Sequence, residues 1–212
     1  MERGIRAALF DFDMTLVDSS YAIHRCTNML ARHCGLREVT REEVLATIGL
    51  PIEGCWRALW GDYRDEWVDY YRANFRGEEQ SGLRFFPNTL SALERLSAAG
   101  VKVGVASNRR FARKVTDAMG LTPRLEAIVG LECVERAKPE PDVLFKGFEL
   151  LGVSPEDGIY VGDTDIDMKT AVAAKVRGVG MTTGNFDEAG LIAAGAWRVC
   201  ADLSEVAELA GA

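Results

Sequence analysis

Two aspartates separated by a single residue, Asp11 and Asp13, directly follow the apolar run 5–10. If that run is a strand, alternate residues share a face, so both carboxylates emerge on one side at its C-terminal end. Neighbouring carboxylates resist joint ionisation. A protein tolerates such a pair when a cation bridges it or when one acid keeps a proton. The plainer alternative is that one aspartate caps the next turn and the other is solvated.

Three further groups sit in comparable places. Ser107-Asn108 follows the apolar run 101–106; its hydroxyl and backbone amides can hold a phosphoryl oxygen or cap a helix starting at Arg110. Lys138 precedes Pro139, which restricts it to extended backbone. It is either an exposed loop lysine or a point charge aimed at an anionic substrate. Gly162-Asp163-Thr164-Asp165-Ile166-Asp167 follows the run 159–161. Gly162 permits close backbone approach. Asp163 and Asp167 share a face if a helix begins here, and an oxygen-only cluster suits Mg²⁺. Asp165 reads as a helix N-terminal charge.

The elements that must position these residues alternate. Strands are expected at 5–10, 101–106, 127–129, 159–161 and 179–181, with helices at 90–99, 111–119, 142–151 and 166–174. Such alternation predicts a parallel sheet covered on both faces, and ligands bind at the C-terminal strand edge of such sheets. The segment 18–84 breaks the rhythm. It reads as helices only, at 21–34, 41–48, 52–60 and 66–75, and holds nine arginines but no lysine. It is expected to be a smaller inserted domain, leaving 1–17 and 85–212 as the α/β core. Trp56, Trp60 and Trp67 are expected in the insert's core or at its interface with the sheet domain. The Gly49-Leu50-Pro51 loop is expected to face the site, with Arg25 and Arg57 either solvated helix arginines or candidates to read a substrate carboxylate.

Composition narrows the class. The 212 residues carry a net charge of -7 and no basic run, which argues against a nucleic-acid partner. The five cysteines, odd in number and in no C-x-x-C spacing, point to reduced thiols rather than a zinc or disulfide framework. The first residues lack a leader-like apolar region, and no run approaches the roughly 20 apolar residues of a membrane span. A cytoplasmic location is expected, and oligomeric state is not legible.

In combination these features make the chain resemble the haloacid dehalogenase (HAD) superfamily. Its four motifs match Asp11-Phe12-Asp13-Met14-Thr15, Ser107-Asn108, Lys138-Pro139, and Gly162-Asp163 through Asp167. The resemblance spans nearly the whole chain and is strongest to the phosphoglycolate phosphatase group, through Thr15-Leu16-Val17-Asp18-Ser19. Met14 stands where that family usually has glycine. The resemblance implies an α/β fold, a HAD-like Rossmannoid parallel sheet core with an inserted all-helical cap domain. It implies Asp11 as nucleophile and Asp13 as general acid, then base. It implies Mg²⁺ held by the carboxylate of Asp11, the backbone carbonyl of Asp13, and Asp163, with Asp167 orienting a metal-bound water or Lys138. Thr15, Ser107, Asn108 and Lys138 would bind the phosphoryl group, with Thr15 also supporting the loop that carries Asp13.

The implied activity is Mg²⁺-dependent phosphatase chemistry on a small phosphorylated metabolite, with 2-phosphoglycolate as first candidate. A β-phosphoglucomutase-like mutase and a non-catalytic phosphate-binding module stay open. Asp13 argues against dehalogenation, and the lysine-free insert against a Schiff-base phosphonate hydrolase. A Ser-His-Asp hydrolase lacks support, because Ser107 is in no G-x-S-x-G elbow and His24 and His33 both lie in the insert. Gly178, Gly180 and Gly184 miss the dinucleotide-binding spacing by one residue.

Overall fold

The structure is a computed structural model that describes residues 4–212, apart from the side chain of Arg76. Residues 1–3, which open the stretch expected to lack a leader, lie outside the described residues. The first strand, Ala7–Phe10 (β1), is wholly buried, as an uninterrupted apolar run requires. A two-residue strand, Val17–Asp18 (β2), leads into five helices: Ser20–Cys34 (α1), Arg41–Leu45 (α2), Ile52–Trp60 (α3), Asp65–Asn74 (α4) and Arg76–Gly82 (α5). The chain returns through Arg84–Phe85 (β3), which pairs antiparallel with β2, Val17 opposite Phe85. The outgoing and returning crossings therefore run side by side.

The remainder alternates. Thr89–Ala98 (α6) leads to Lys102–Ala106 (β4), and Ala112–Ala118 (α7) to Ala127–Val129 (β5). Asp142–Leu151 (α8) leads to Gly158–Gly162 (β6), and Asp165–Ala174 (α9) to Arg177–Met181 (β7). Glu188–Ala193 (α10), Arg198–Cys200 (β8) and Leu203–Leu209 (α11) complete the chain. The six main strands form one parallel sheet in the order β5-β4-β1-β6-β7-β8. Its strand order turns back at β1, so the C-terminal end of β1 is the switch-point crevice.

Alternation along β1 divides the core. Ala8 and Phe10 join a cluster with Leu93 and Leu96 of α6 and Val206 of α11, while Ala7 and Leu9 join Leu144 and Phe148 of α8. In α8, buried Val143, Leu144, Gly147, Phe148 and Leu151 recur at helical spacing, and Gly152 closes the helix in the left-handed region. The helical segment has its own cluster around Leu30, Trp56, Trp67, Val68 and Tyr71. Trp56, Trp60 and Trp67 meet in tilted and T-shaped pairs in and against it, the first of the two placements expected for them.

Several elements were not legible. β8 is a three-residue edge strand, too short for a periodic signal. The helix α5, Arg-Gly-Glu-Glu-Gln-Ser-Gly, has no apolar stripe, and the residue it buries is a glutamate, Glu79. The α2 helix stops at Leu45, short of the expected 48. Among the described residues no helix is long and apolar enough to cross a membrane. All five cysteines are free.

The centre of the sheet leaves no room for growth at Gly104. A Cβ there would lie 2.8 Å from the Ala127 carbonyl oxygen and 2.9 Å from Leu9. Backbone cannot yield as a side-chain tip does. Gly104→Ala is expected to lower unfolding free energy by about 1–3 kcal/mol through overpacking, measured by urea denaturation; wild-type stability would contradict this packing.

Candidate active site

Four strand ends and one loop meet at the switch point. Asp11 follows β1, and its backbone N–H donates to the Val161 carbonyl of β6 (2.8 Å). Ser107 follows β4 and donates its N–H to the Val129 carbonyl of β5 (3.0 Å). Asp163 follows β6, and Lys138 lies in the long connection after β5. Asp11, Ser107, Lys138, Asp163 and Asp167 are all buried.

Lys138 is the centre of this group. Its Nζ lies 2.9 Å from Asp11 Oδ1, 2.6 Å from Asp167 Oδ1 and 2.9 Å from the Tyr160 hydroxyl. Burial works against its ammonium, but Asp11 and Asp167 outweigh it and keep the lysine protonated beyond its ordinary range. Burial pushes the Asp11 carboxyl up to about 6, with Lys138 pulling against it and Asp167 adding to it. Asp163 is raised well above the usual carboxylate range, by burial first and by Asp167 and Asp11 next.

Asp167 is fixed from two sides. It forms a capping box with Thr164 at the start of α9, accepting from the Thr164 N–H (3.0 Å) and hydroxyl (2.6 Å). Gly162 makes room for it: a Cβ at Gly162 would lie 2.4 Å from Asp167 Cγ. Asp163 accepts a hydrogen bond from the Thr15 hydroxyl (2.8 Å). Thr15 is fully buried, and its hydroxyl holds Asp163 rather than facing the cavity.

Oxygens of Asp11, Asp163 and Asp167 lie within 4.8 Å of one another. Asp11 Oδ1 is buried, and its charged partner is the Lys138 ammonium, which it shares with Asp167. Three carboxylates around one ammonium leave surplus negative charge. A buried all-oxygen set with more carboxylates than ammonium groups fits a hard divalent cation. The Asp13 side chain stands outside this cluster.

Asp13 belongs to a second charge system. Arg109 grips it side-on, Nε to Oδ2 (2.9 Å) and Nη2 to Oδ1 (2.6 Å). Arg109 Nη1 also donates to Glu79 of α5, and the Tyr71 hydroxyl of α4 donates to the other Glu79 oxygen. All three charged side chains are at most 15% exposed. Burial raises the Asp13 carboxyl, but the Arg109 guanidinium outweighs it and holds it below the ordinary carboxylate value.

A cavity of about 460 Å³ opens over both systems. Asp11, Asp13, Ser107, Asn108 and Lys138 line it from the strand ends, and Val44, Leu50, Ile52, Trp56 and Leu59 from the helical segment. Gly49, Leu50 and Pro51 reach the site as expected. Asn108 Nδ2 donates to the Gly49 carbonyl (2.9 Å), and Asn108 Oδ1 accepts the Lys138 N–H (2.8 Å). The Asn108 side chain thus joins the β4 end, the Lys138 loop and the helical segment. Met14 has φ 59, in the left-handed region where glycine is unstrained. Its side chain is buried, which contributes roughly 1.5–3 kcal/mol and offsets a conformational cost of roughly 1–2 kcal/mol.

Arg25 and Arg57 take the plainer of their two readings, as solvated helix arginines. Arg25 pairs with Glu78 and Arg57 with Glu53, both on the surface, and neither lines the cavity. Their helix faces turn outward, which a run of arginines spread over a whole helix does not reveal. The arginine that grips Asp13 is Arg109, two residues after Ser107. Tyr160, Glu79 and Tyr71 were also missed. A tyrosine within an apolar strand run must find a partner for its hydroxyl, and that was the available signal for Tyr160.

Fold and site together define a hydrolase. The chain belongs to the haloacid dehalogenase-like hydrolase family, whose model matches residues 8–181. It is 30% identical over 176 residues to the phosphoglycolate phosphatase of Aquifex aeolicus, covering 82% of this chain and 83% of that one. It is 27% identical over 181 residues to the pyrophosphatase PpaX of Anoxybacillus flavithermus, with 84% of each chain covered. A solved haloacid dehalogenase-like protein from Bacteroides fragilis superposes with a TM-score of 0.86 at 28% identity, covering 95% of this chain and 99% of that chain.

Lys138→Met removes the one cation from a buried acidic group. The expected cost is about 3–5 kcal/mol of folding stability, because Asp11 and Asp167 lose their partner. Chemical denaturation near neutral pH measures it, and an unchanged midpoint would contradict the central place given to Lys138.

Proposed function

We propose that this hydrolase is a Mg²⁺-dependent phosphatase of small phosphorylated metabolites, with residues 18–84 acting as a cap over the site and the protein working in the cytoplasm. The observation that carries the reading is Asp11: buried, lining the cavity, and in ion contact with Lys138 at 2.9 Å beside Asp163 and Asp167. A carboxylate so placed is a nucleophile for phosphorus. The names of the relatives, phosphoglycolate phosphatase and pyrophosphatase, support phosphoryl esters and anhydrides as the substrate range.

In the first step the Asp11 carboxylate attacks phosphorus and the bond to the leaving oxygen breaks, giving an acyl phosphate on Asp11. Asp13, released from Arg109 and protonated before the step, gives that proton to the leaving oxygen. In the second step Asp13 regains one from water, whose oxygen attacks phosphorus and restores the Asp11 carboxylate. Lys138 offsets the repulsion between Asp11 and the phosphate dianion, and Ser107 with the Asn108 amide holds the phosphoryl oxygens. Asp11, the Asp13 backbone carbonyl and Asp163 would hold Mg²⁺, which when bound neutralises charge on the phosphoryl oxygens. Asp167, tied to Lys138 and Thr164, positions Lys138 from outside. The helical segment lines the cavity with apolar side chains, which excludes water from the acyl phosphate.

Phosphate release from a panel of small phosphoesters and pyrophosphate, with Mg²⁺ and with EDTA, tests the reading. Release is expected only with metal, and Asp11→Asn is expected to lower kcat by several orders of magnitude. Full activity of that variant would remove Asp11 as nucleophile. Metal binding should also depend on pH. The Asp11 carboxyl is raised to about 6 without metal, so protons compete for it below that value. Calorimetric Mg²⁺ affinity is expected to fall as pH drops from 7 through 6, with proton release on binding; a flat profile from pH 7 to 5 would contradict Asp11 as a ligand.

A further inference from the structure

We propose that Arg109 selects substrates whose leaving group carries a second anionic group, and that this group frees Asp13 for reaction by drawing Arg109 away from it. The proposal rests on the phosphatase reading and deepens it by naming the class of leaving group.

The starting point is occupancy. Both Asp13 oxygens are engaged by one guanidinium, at 2.6 and 2.9 Å. Asp13 cannot give a proton to a leaving oxygen, or take one from water, until at least one oxygen turns away from Arg109. Solvent is a poor trigger for that turn. Arg109 is 15% exposed and also bound to Glu79, so withdrawing it from Asp13 without replacement would leave donors of a nearly buried guanidinium unpaired. A replacement anion removes the obstacle. Arg109 keeps two anionic partners, Glu79 and the newcomer, and Asp13 becomes the group exchanged.

The site of exchange is accessible to a bound ligand. Asp13, Arg109 and Glu79 all line the same cavity as Asp11 and Lys138. Arg110 and Lys114 line it too. Neither is in a salt bridge among the described residues, in a protein whose net charge is -7. Arg110 follows Arg109 in the chain, so adjacent basic residues stand on the wall of the cavity that Asp11 also lines, with Glu53 and Asp65 among its other lining residues. A neutral leaving group brings nothing to exchange, so Arg109 stays on Asp13. Tethering of Arg109 to Glu79 in α5 also links this exchange to the helical segment. Carboxylate and phosphate share the required chemistry.

The test compares turnover of 2-phosphoglycolate (an anionic carboxylate leaving group), its carboxamide (the same shape, uncharged) and pyrophosphate (an anionic phosphate leaving group). p-Nitrophenyl phosphate, whose leaving group departs without a proton, reports whether the Asp11 chemistry operates. The wild-type protein is expected to prefer at least one anionic substrate over the carboxamide by about tenfold or more, with the difference in kcat as well as KM. Which anion wins distinguishes carboxylate from phosphate. Arg109→Gln combined with Glu79→Gln removes one charge of each sign from the buried network, and the anion-to-carboxamide ratio is expected to fall to near one. A wild-type ratio near one overturns the proposal without any variant, as does a ratio that survives in the double variant. Turnover of p-nitrophenyl phosphate alongside either result leaves the phosphatase reading standing; no turnover of any of the four removes that reading and this proposal together.

Discussion

The ammonium of Lys138 is the interaction on which the rest of the site depends. It contacts Asp11, Asp167 and Tyr160 in a setting from which water is almost excluded. Taking several carboxylates out of water is costly, and only a cation within contact distance makes it tolerable. The contacts tie the end of β1, the loop after β5, the middle of β6 and the first turn of α9 to one atom. Tyr160 adds a neutral brace, its hydroxyl 2.9 Å from both Asp167 and the Ala106 carbonyl. Surplus negative charge remains around Asp11 and Asp163, and that surplus fits the group to a divalent cation.

A second ionic system stands beside the first without merging with it. Asp13 is one residue away from Phe12 and two from Asp11, yet its charge is balanced by Arg109 rather than by Lys138. The separation gives the two aspartates different environments: the Asp11 carboxyl is raised to about 6 and that of Asp13 is lowered. Through Glu79 and Tyr71 the Asp13 system reaches into α5 and α4, so the helical segment shares a charge network with the strand ends as well as lining the cavity.

Close packing of backbone against carboxylates keeps both systems in register. A Cβ at Gly184 would come 2.0 Å from Asp163 Oδ2, and one at Gly162 would overlap Asp167. These glycines let main chain press directly on the acids, which fixes their positions without a further side chain. Met14 is the exception in backbone type: it adopts a left-handed conformation that glycine would hold more easily, and the burial of its thioether side chain offsets the strain. Its carbonyl accepts from the Thr183 hydroxyl, which ties the turn after β1 to the loop after β7.

The sequence by itself determined the strand–helix alternation, because apolar runs of strand length recur between amphipathic stretches. It also placed Asp11, Ser107 and Asp163 directly after apolar runs of strand length, where a parallel sheet must gather them; Lys138 lies instead in the connection after β5. Helix α8 and strand β5 were legible to the residue, since their apolar patterns are complete and bounded by turn residues. What the sequence did not carry was direction. Arg109, Arg25 and Arg57 are chemically alike, and only the packing of α5 against the strand ends decides that the first is buried between two acids while the others lie on the surface. Glu79 was invisible for the same reason: a glutamate in a helix without an apolar stripe reads as solvated. Its burial depends on a cation ninety-six residues from the aspartate it also binds. Long-range charge pairing of that kind has no local signature, so tertiary structure alone settles which ions meet.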